Sequence, residues 1–208
     1  MNMIVKKSRT KTRPRKGRLR LMPSRVPCPS AGTHAMPAYY TVGHSTRSVS
    51  ELVALLQDAG VKLLADVRSI PRSRTNPQFN IEALPPELAE NGIAYEHFPE
   101  LGGRRGRALD DSPNQFWEHA SFRNYADYAG TQAFRTGLER LRRLGQQQSS
   151  AIMCAEALWW RCHRRIIADY LISAGETVFH ILGPGKIEPA KLTPAARRTS
   201  DGTLVYPK

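Results

Sequence analysis

The chain has 208 residues, 40% of them hydrophobic, enough for one domain with its own core plus tails. No run approaches the ~18 apolar residues that a membrane span needs, and no apolar stretch follows the N-terminal charges as it would in a secretory signal, so the expected home is the cytoplasm, away from membranes. Three cysteines (Cys28, Cys154, Cys162) make an odd number that does not look like a disulfide framework, and reduced thiols are expected.

The formal net charge of +13 is unevenly spread. Residues 1–38 carry ten Lys or Arg and no acid, residues 39–182 carry sixteen of each sign, and residues 183–208 carry five bases against two acids. A near-neutral folded part is therefore expected behind a basic arm. Residues 1–38 have five prolines and no hydrophobic period, which predicts disorder and a capacity to hold nucleic-acid phosphates by counterion release. Met22 and Met36 are alternative starts that would shorten or remove the arm.

From residue 39 the pattern becomes regular. Tyr39-Tyr40-Thr41-Val42 is β-prone and runs into the turn Gly43-His44-Ser45; Ser48 and Glu51 have capping-box spacing ahead of Leu52, Leu55 and Leu56, with Gly60 as a stop. Val61 to Val67 reads as a buried strand, followed by a proline-fixed loop to Phe79 and a helix interrupted or started by Pro85-Pro86. Ile93 to Phe98 is the third strand, and a long polar segment extends to about Ser121. Phe122–Tyr128 and Gln132–Leu144 read as helices, Ile152–Cys154 as a strand, Arg161 to Ser173 as a helix and Thr177 to Leu182 as the last strand. Residues 183–208 are expected to form an irregular tail with at most a small hairpin at Asp201-Gly202.

Strands and helices alternate five times. The fold class this predicts is α/β, a single doubly wound domain over residues 39–182 with a mostly parallel sheet of about five strands and helices on both faces. Ligands of such sheets bind outside the carboxyl ends of the strands. Gly43-His44-Ser45, Asp66 and Arg68, Pro99-Glu100 with the arginine loop, Cys154 and Glu156, and His180 should therefore meet at one rim.

Several of these pieces together resemble one bacterial family, domain of unknown function 488. They are Thr41-Val-Gly-His-Ser45, Asp66-Val-Arg-Ser-Ile-Pro71, Asn76-Pro-Gln-Phe79, Pro99-Glu-Leu-Gly-Gly103, Met153-Cys-Ala-Glu156 and Arg161-Cys-His-Arg164. The resemblance covers roughly residues 39–182 and implies a compact α/β domain. Some members carry a DNA-repair label, and the arm lies outside the shared pattern.

At the expected rim, His44, Asp66, Cys154, Glu156 and His163 are the candidate catalytic groups. Carboxylates orienting imidazoles, Asp66 with His44 or Glu156 with His163, would make acid/base pairs; a strand-end Asp66 could equally pair with Arg68 or cap backbone amides. Cys154 reads either as a nucleophile or as a buried structural thiol. It does not open a phosphatase-type loop, because six residues without a glycine separate it from Arg161. No CxxC or HxxxH spacing supports a metal set of His44, Cys154, Cys162 and His163, and adjacent positions on a helix point ~100° apart, so no metal ligand is expected there; no cofactor can be assigned.

Ser45, Arg68, Ser73, Arg104, Tyr128, Arg161 and Arg164 are the expected substrate-binding residues. The arginines imply an anionic small molecule or nucleotide as partner, whereas Arg72, Arg105 and Arg107 read as solvated surface charges. Trp159, Trp160, Phe79, Tyr125 and Tyr128 could stack a base or simply pack. Three readings follow: an enzyme for a phosphorylated or nucleotide-like substrate, a nucleic-acid-binding accessory protein without catalysis, and a thiol or metal site protein.

Overall fold

A computed structural model of the chain describes residues 37–106 and 109–208. The basic arm up to residue 36, with Cys28, and Arg107 lie outside the described residues. The elements are β1 (Tyr39–Gly43), α1 (Val49–Asp58), β2 (Leu63–Asp66), α2 (Leu84–Glu90), β3 (Ala94–His97), α3 (Ala120–Ala129), α4 (Gln132–Gly145), β4 (Ser150–Cys154), α5 (Arg164–Ser173), β5 (Val178–Gly183), β6 (Lys186–Pro189), β7 (Arg197–Arg198) and β8 (Leu204–Val205). No helix among the described residues is long and apolar enough to cross a membrane.

The main sheet has the order β3-β2-β4-β1-β5-β6. All pairs from β3 to β5 are parallel, and β6 returns antiparallel to β5. The sheet therefore has six strands rather than about five. The sixth comes from the segment expected to be irregular: Gly183-Pro-Gly185 turns the chain back, Gly185 taking a φ of 64° that favours glycine. The small hairpin at Asp201-Gly202 is present as β7 and β8.

Alternate side chains leave the sheet on opposite faces, and the sequence covers both. Tyr40, Val42, Leu64, Ala151 and Met153 pack against Leu52, Leu55 and Leu56 of α1 and Leu84 and Leu88 of α2. Tyr39, Ala65, Ile152 and Val178 pack against Tyr125, Phe134, Leu141, Ile166 and Leu171 of α3, α4 and α5. Ser48 and Glu51 close the capping box that starts α1. Pro85 and Pro86 start α2 rather than interrupt it.

The topology fixes the site. From β1 the chain leaves through α1 towards β2, and from β4 it leaves through α5, on the other face, towards β5. Neighbouring strands whose connections leave on opposite faces of the sheet leave a crevice between their carboxyl ends. The two strands here are β1, ending at Gly43, and β4, ending at Cys154, and these residues are partners in the parallel register.

The tail is tied to the domain through a buried carboxylate. Asp169 of α5, 1% exposed, accepts from the Thr193 amide at 2.8 Å and from the Tyr206 hydroxyl at 3.1 Å. Tyr206 also donates its amide to Asn114 Oδ1 at 2.9 Å. Asp169→Ala should leave two buried donors unpartnered and cost about 2–6 kcal/mol, at ~1–3 kcal/mol each. Urea unfolding at pH 7 measures it; a loss below about 1 kcal/mol would mean that the tail is not held this way.

Candidate functional site

A cavity of about 420 Å³ opens at the β1/β4 crevice. Its wall carries His44, Arg68, Ser73, Arg104, Cys154, Glu156, Arg161 and His163, eight of the residues expected from the sequence, together with Cys162. Ser45, Asp66, Tyr128 and Arg164 are not on the wall. His180 is not at the rim either: it sits inside β5, 3% exposed, with Nδ1 at 2.7 Å from Thr41 Oγ1 and its ring stacked on Trp159 at 4.0 Å.

Arg68, on one wall, is held from behind by Asp66. Asp66 is fully buried and receives Arg68 N at 3.0 Å, Arg68 Nε at 2.9 Å, Arg68 Nη2 at 2.5 Å and the Tyr95 hydroxyl at 2.7 Å. Arg68 Nη2 also donates to Phe79 O at 2.7 Å, and Nη1 lies 3.4 Å from His44 Nε2. A guanidinium has five N–H donors; this pattern engages four and leaves one on Nη1 at the cavity. Asp66 thus grips Arg68 instead of contacting His44, and the expected Asp66–His44 pair becomes a carboxylate–guanidinium–imidazole chain.

His44 is 1% exposed and stacked on Phe79 at 4.1 Å, with Nδ1 at 2.9 Å from Ser45 O. A carbonyl only accepts, so Nδ1 carries the hydrogen and Nε2 presents its lone pair to Arg68. Burial above all, with Arg68 and Arg164 nearby, lowers its pKa to about 4 against the opposing effects of the Ser45 hydrogen bond and Asp66.

The opposite wall is built by Cys154 and the loop up to α5. Cys162 does not lie on a helix: it closes a 3-10 turn of Trp159–Arg161 in extended conformation (φ −128°, ψ 145°), and α5 starts at Arg164, with His163 as its cap. The ~100° divergence of helical neighbours therefore does not apply, and the side chains of Cys162 and His163 converge. His163 Nδ1 lies 3.6 Å from Cys162 Sγ and 3.9 Å from Cys154 Sγ, while Nε2 lies 3.1 Å from Val67 O. The expected Glu156–His163 pair does not form. Glu156 is exposed at the mouth, where Oε1 accepts the Leu158 amide at 3.2 Å.

Arg164, 1% exposed, sits behind this wall, with Nε donating to Cys162 Sγ at 3.2 Å and Nη2 to the Glu156 carbonyl. Burial pushes the Cys162 thiol up, but its hydrogen bond with Cys154 and the adjacent His163 and Arg164 outweigh burial and hold it well below the ordinary thiol value. The same hydrogen bond, aided by burial, raises Cys154 well above it. Of the two sulfurs, Cys162 is the one beside the guanidinium, whose Nε donation favours negative charge there.

Ser45 has a φ of 50° and donates its amide to Ala155 O, so it shapes the turn. Tyr128 donates its hydroxyl to Glu100 O at 2.7 Å and lies under Arg105 at 3.6 Å, away from the cavity. Phe79 and Tyr125 are core residues, while Trp160 is 46% exposed. Arg72, on the wall, pairs with Glu82.

Sequence reasoning missed Gly103 and Ser69. A Cβ on Gly103 would come within 2.4 Å of His163 Nδ1, and Ser69 Oγ accepts the Arg104 amide at 2.8 Å, so these residues set the ring and the arginine loop. The Gly102-Gly103 doublet was the available signal, since paired glycines mark a close backbone approach.

A family model described as Domain of unknown function DUF488 matches residues 48–171, more than half of the chain. The chain belongs to that family. The DUF488 match runs from the start of α1 into α5 and contains both walls of the cavity except His44, which lies just before it. No curated protein and no solved structure matches the chain.

His180, like His44, has its pKa lowered to about 4, by burial first and then by Arg164 and Arg165. Both imidazoles are easier to protonate in the unfolded chain, so their contribution is complete above the ordinary value of 6.5 and is lost as pH falls towards about 4. The slope limit is ~1.4 kcal/mol per pH unit per histidine. Urea unfolding between pH 7 and pH 4 should show this decline, and His180→Gln should flatten it; an unchanged slope would contradict burial of a neutral ring.

Proposed function

We propose that this DUF488 chain is an enzyme that takes a phosphorylated or nucleotide-like anion into the β1/β4 cavity. The observation that carries the reading is the cavity wall itself, where Arg68, Arg104 and Arg161 face a cluster of two thiols and an imidazole. Among the described residues the wall carries one acid, Glu156. Two ten-residue helices, α3 and α5, bring Ser121 of the first turn and the cap His163 to the wall, and helix N-termini favour negative charge.

In this reading Arg104 and Arg161 hold the anion together with the remaining Nη1 donor of Arg68. Asp66 and His44 are positioning residues, because they fix the Arg68 guanidinium from behind; a neutral His44 whose pKa is lowered to about 4 suits that role better than proton donation. Cys154 and His163 stand where the reacting end of the substrate would lie. Arg164 acts through Cys162 and the loop.

The basic residues 1–38 favour a second reading, in which the arm holds nucleic acid and the cavity performs no chemistry. Calorimetric titration with adenosine monophosphate, together with turnover of a panel of phosphate esters, separates the two. Arg161→Ala and Arg104→Ala should each weaken nucleotide binding about tenfold or more, at ~1.5–3 kcal/mol per charge-assisted hydrogen bond, and deletion of residues 1–35 should leave turnover unchanged. Absence of anion binding, coupled with DNA binding that disappears with residues 1–35, would replace the enzyme reading with the second.

A further inference from the structure

We propose that Cys154, Cys162 and His163 form a binding site for a soft or borderline divalent metal ion, zinc being the best match, with a fourth coordination position open to the cavity. The three ligand atoms all lie within 4.8 Å of one another. Metal–sulfur bonds of ~2.3 Å and metal–nitrogen bonds of ~2.0 Å at tetrahedral angles place sulfur about 3.5 Å from nitrogen. The observed separations of 3.6 Å and 3.9 Å match this to within a few tenths of an ångström.

The surroundings prepare the same atoms. Val67 O can only accept, so the 3.1 Å contact puts a hydrogen on His163 Nε2 and turns Nδ1 towards the sulfurs, where a metal ion would take the place of any hydrogen on Nδ1. A ligating histidine whose other nitrogen donates to a backbone carbonyl is the usual support of a metal site. Tyr125 meets the imidazole edge-on at 4.9 Å, and Gly103 lies against its Nδ1 side, so the ring has no room to turn. Arg164 Nε, donating to Cys162 Sγ at 3.2 Å, supports a thiolate ligand in the same outer-shell role.

Two thiolates and an imidazole suit zinc and exclude magnesium or calcium, which need oxygen ligands. All three residues also line the 420 Å³ cavity. Three protein ligands with one open position is the arrangement of a catalytic rather than a structural zinc, and water or an anionic oxygen would occupy it. The site stands on its own geometry and holds whether or not the cavity takes a phosphate.

The test uses the full chain carrying Cys28→Ser, so that no third thiol contributes, reduced and stripped with a chelator. Titration with Zn²⁺ should end at an equimolar ratio and raise the melting temperature, which Mg²⁺ should not do. Titration with Co²⁺ should give thiolate-to-metal charge-transfer absorption and the intense visible bands of a tetrahedral ion. Cys154→Ser should weaken binding at least as much as the ~10–100-fold typical of losing an outer-shell partner. If that variant does not fold, the cobalt spectrum of the parent decides alone. A folded, reduced parent that takes up no equimolar Zn²⁺ and gives no cobalt–thiolate bands would overturn the proposal. So would metal binding that survives in both Cys154→Ser and Cys162→Ser. Nucleotide binding is measured separately, so failure of the metal site and failure of the enzyme reading remain distinguishable.

Discussion

Gly43 stands where β1 meets the loop after β4, and a methyl group there would come within 2.0 Å of the Glu156 carbonyl. This close approach lets the pairing of the two strands continue past their ends: the amides of His44 and Ser45 donate to the carbonyls of Cys154 and Ala155, both at 3.0 Å. Arg164 grips the next carbonyl, that of Glu156, from α5. The loop from Ala155 to His163 is thus fastened at both ends, and Arg161, Cys162 and His163 inherit their positions from it. A bulkier residue at Gly43 would push the loop outward and separate the two walls.

Two buried guanidinium groups set the electrostatics. Taking such an ion out of water costs several kcal/mol unless its donors are satisfied. Arg68 meets the cost with Asp66, the Phe79 carbonyl and His44. Among the described residues Arg164 forms no carboxylate ion pair, and its partners are a carbonyl and the sulfur of Cys162. The sulfur is then the natural place for the compensating negative charge, which agrees with the lowered pKa of that thiol. The two arginines also differ in what they do: Arg68 still presents a donor to the cavity, whereas Arg164 spends itself on the framework.

Much of this was legible in the chain. The alternating strand and helix signals gave the α/β class, and listing the residue after each strand brought His44, Arg68, Cys154 and Glu156 to one edge, because parallel strands deliver their ends to the same side. Where the reading failed, the cause was tertiary. Cys162 and His163 look helical by periodicity, yet the Trp159–Arg161 turn and the extended backbone at Cys162 depend on contacts with the rest of the domain. Glu156 and His163 seemed natural partners, but the backbone carbonyl of Val67, which no sequence pattern marks, takes one ring nitrogen and the sulfurs face the other. For Asp66 the sequence leaves an acid/base pair and an Arg68 contact open, and burial of both side chains favours the contact. The turn at Gly183-Pro-Gly185 is marked in the chain, but the four-residue return strand behind it has too little pattern of its own to be told from irregular structure.

One contact outside the cavity reports on the cavity. The indole of Trp159, in the turn that precedes Cys162, stacks on the imidazole of His180 at an interplanar angle of 9°, with the ring held in β5. A protonated imidazole quenches indole emission, and a neutral one does so far less. Any displacement of that turn, or any charging of His180, would thus be visible as a change in intrinsic fluorescence, so the protein carries its own optical gauge of whether the wall that bears its two thiols is in place.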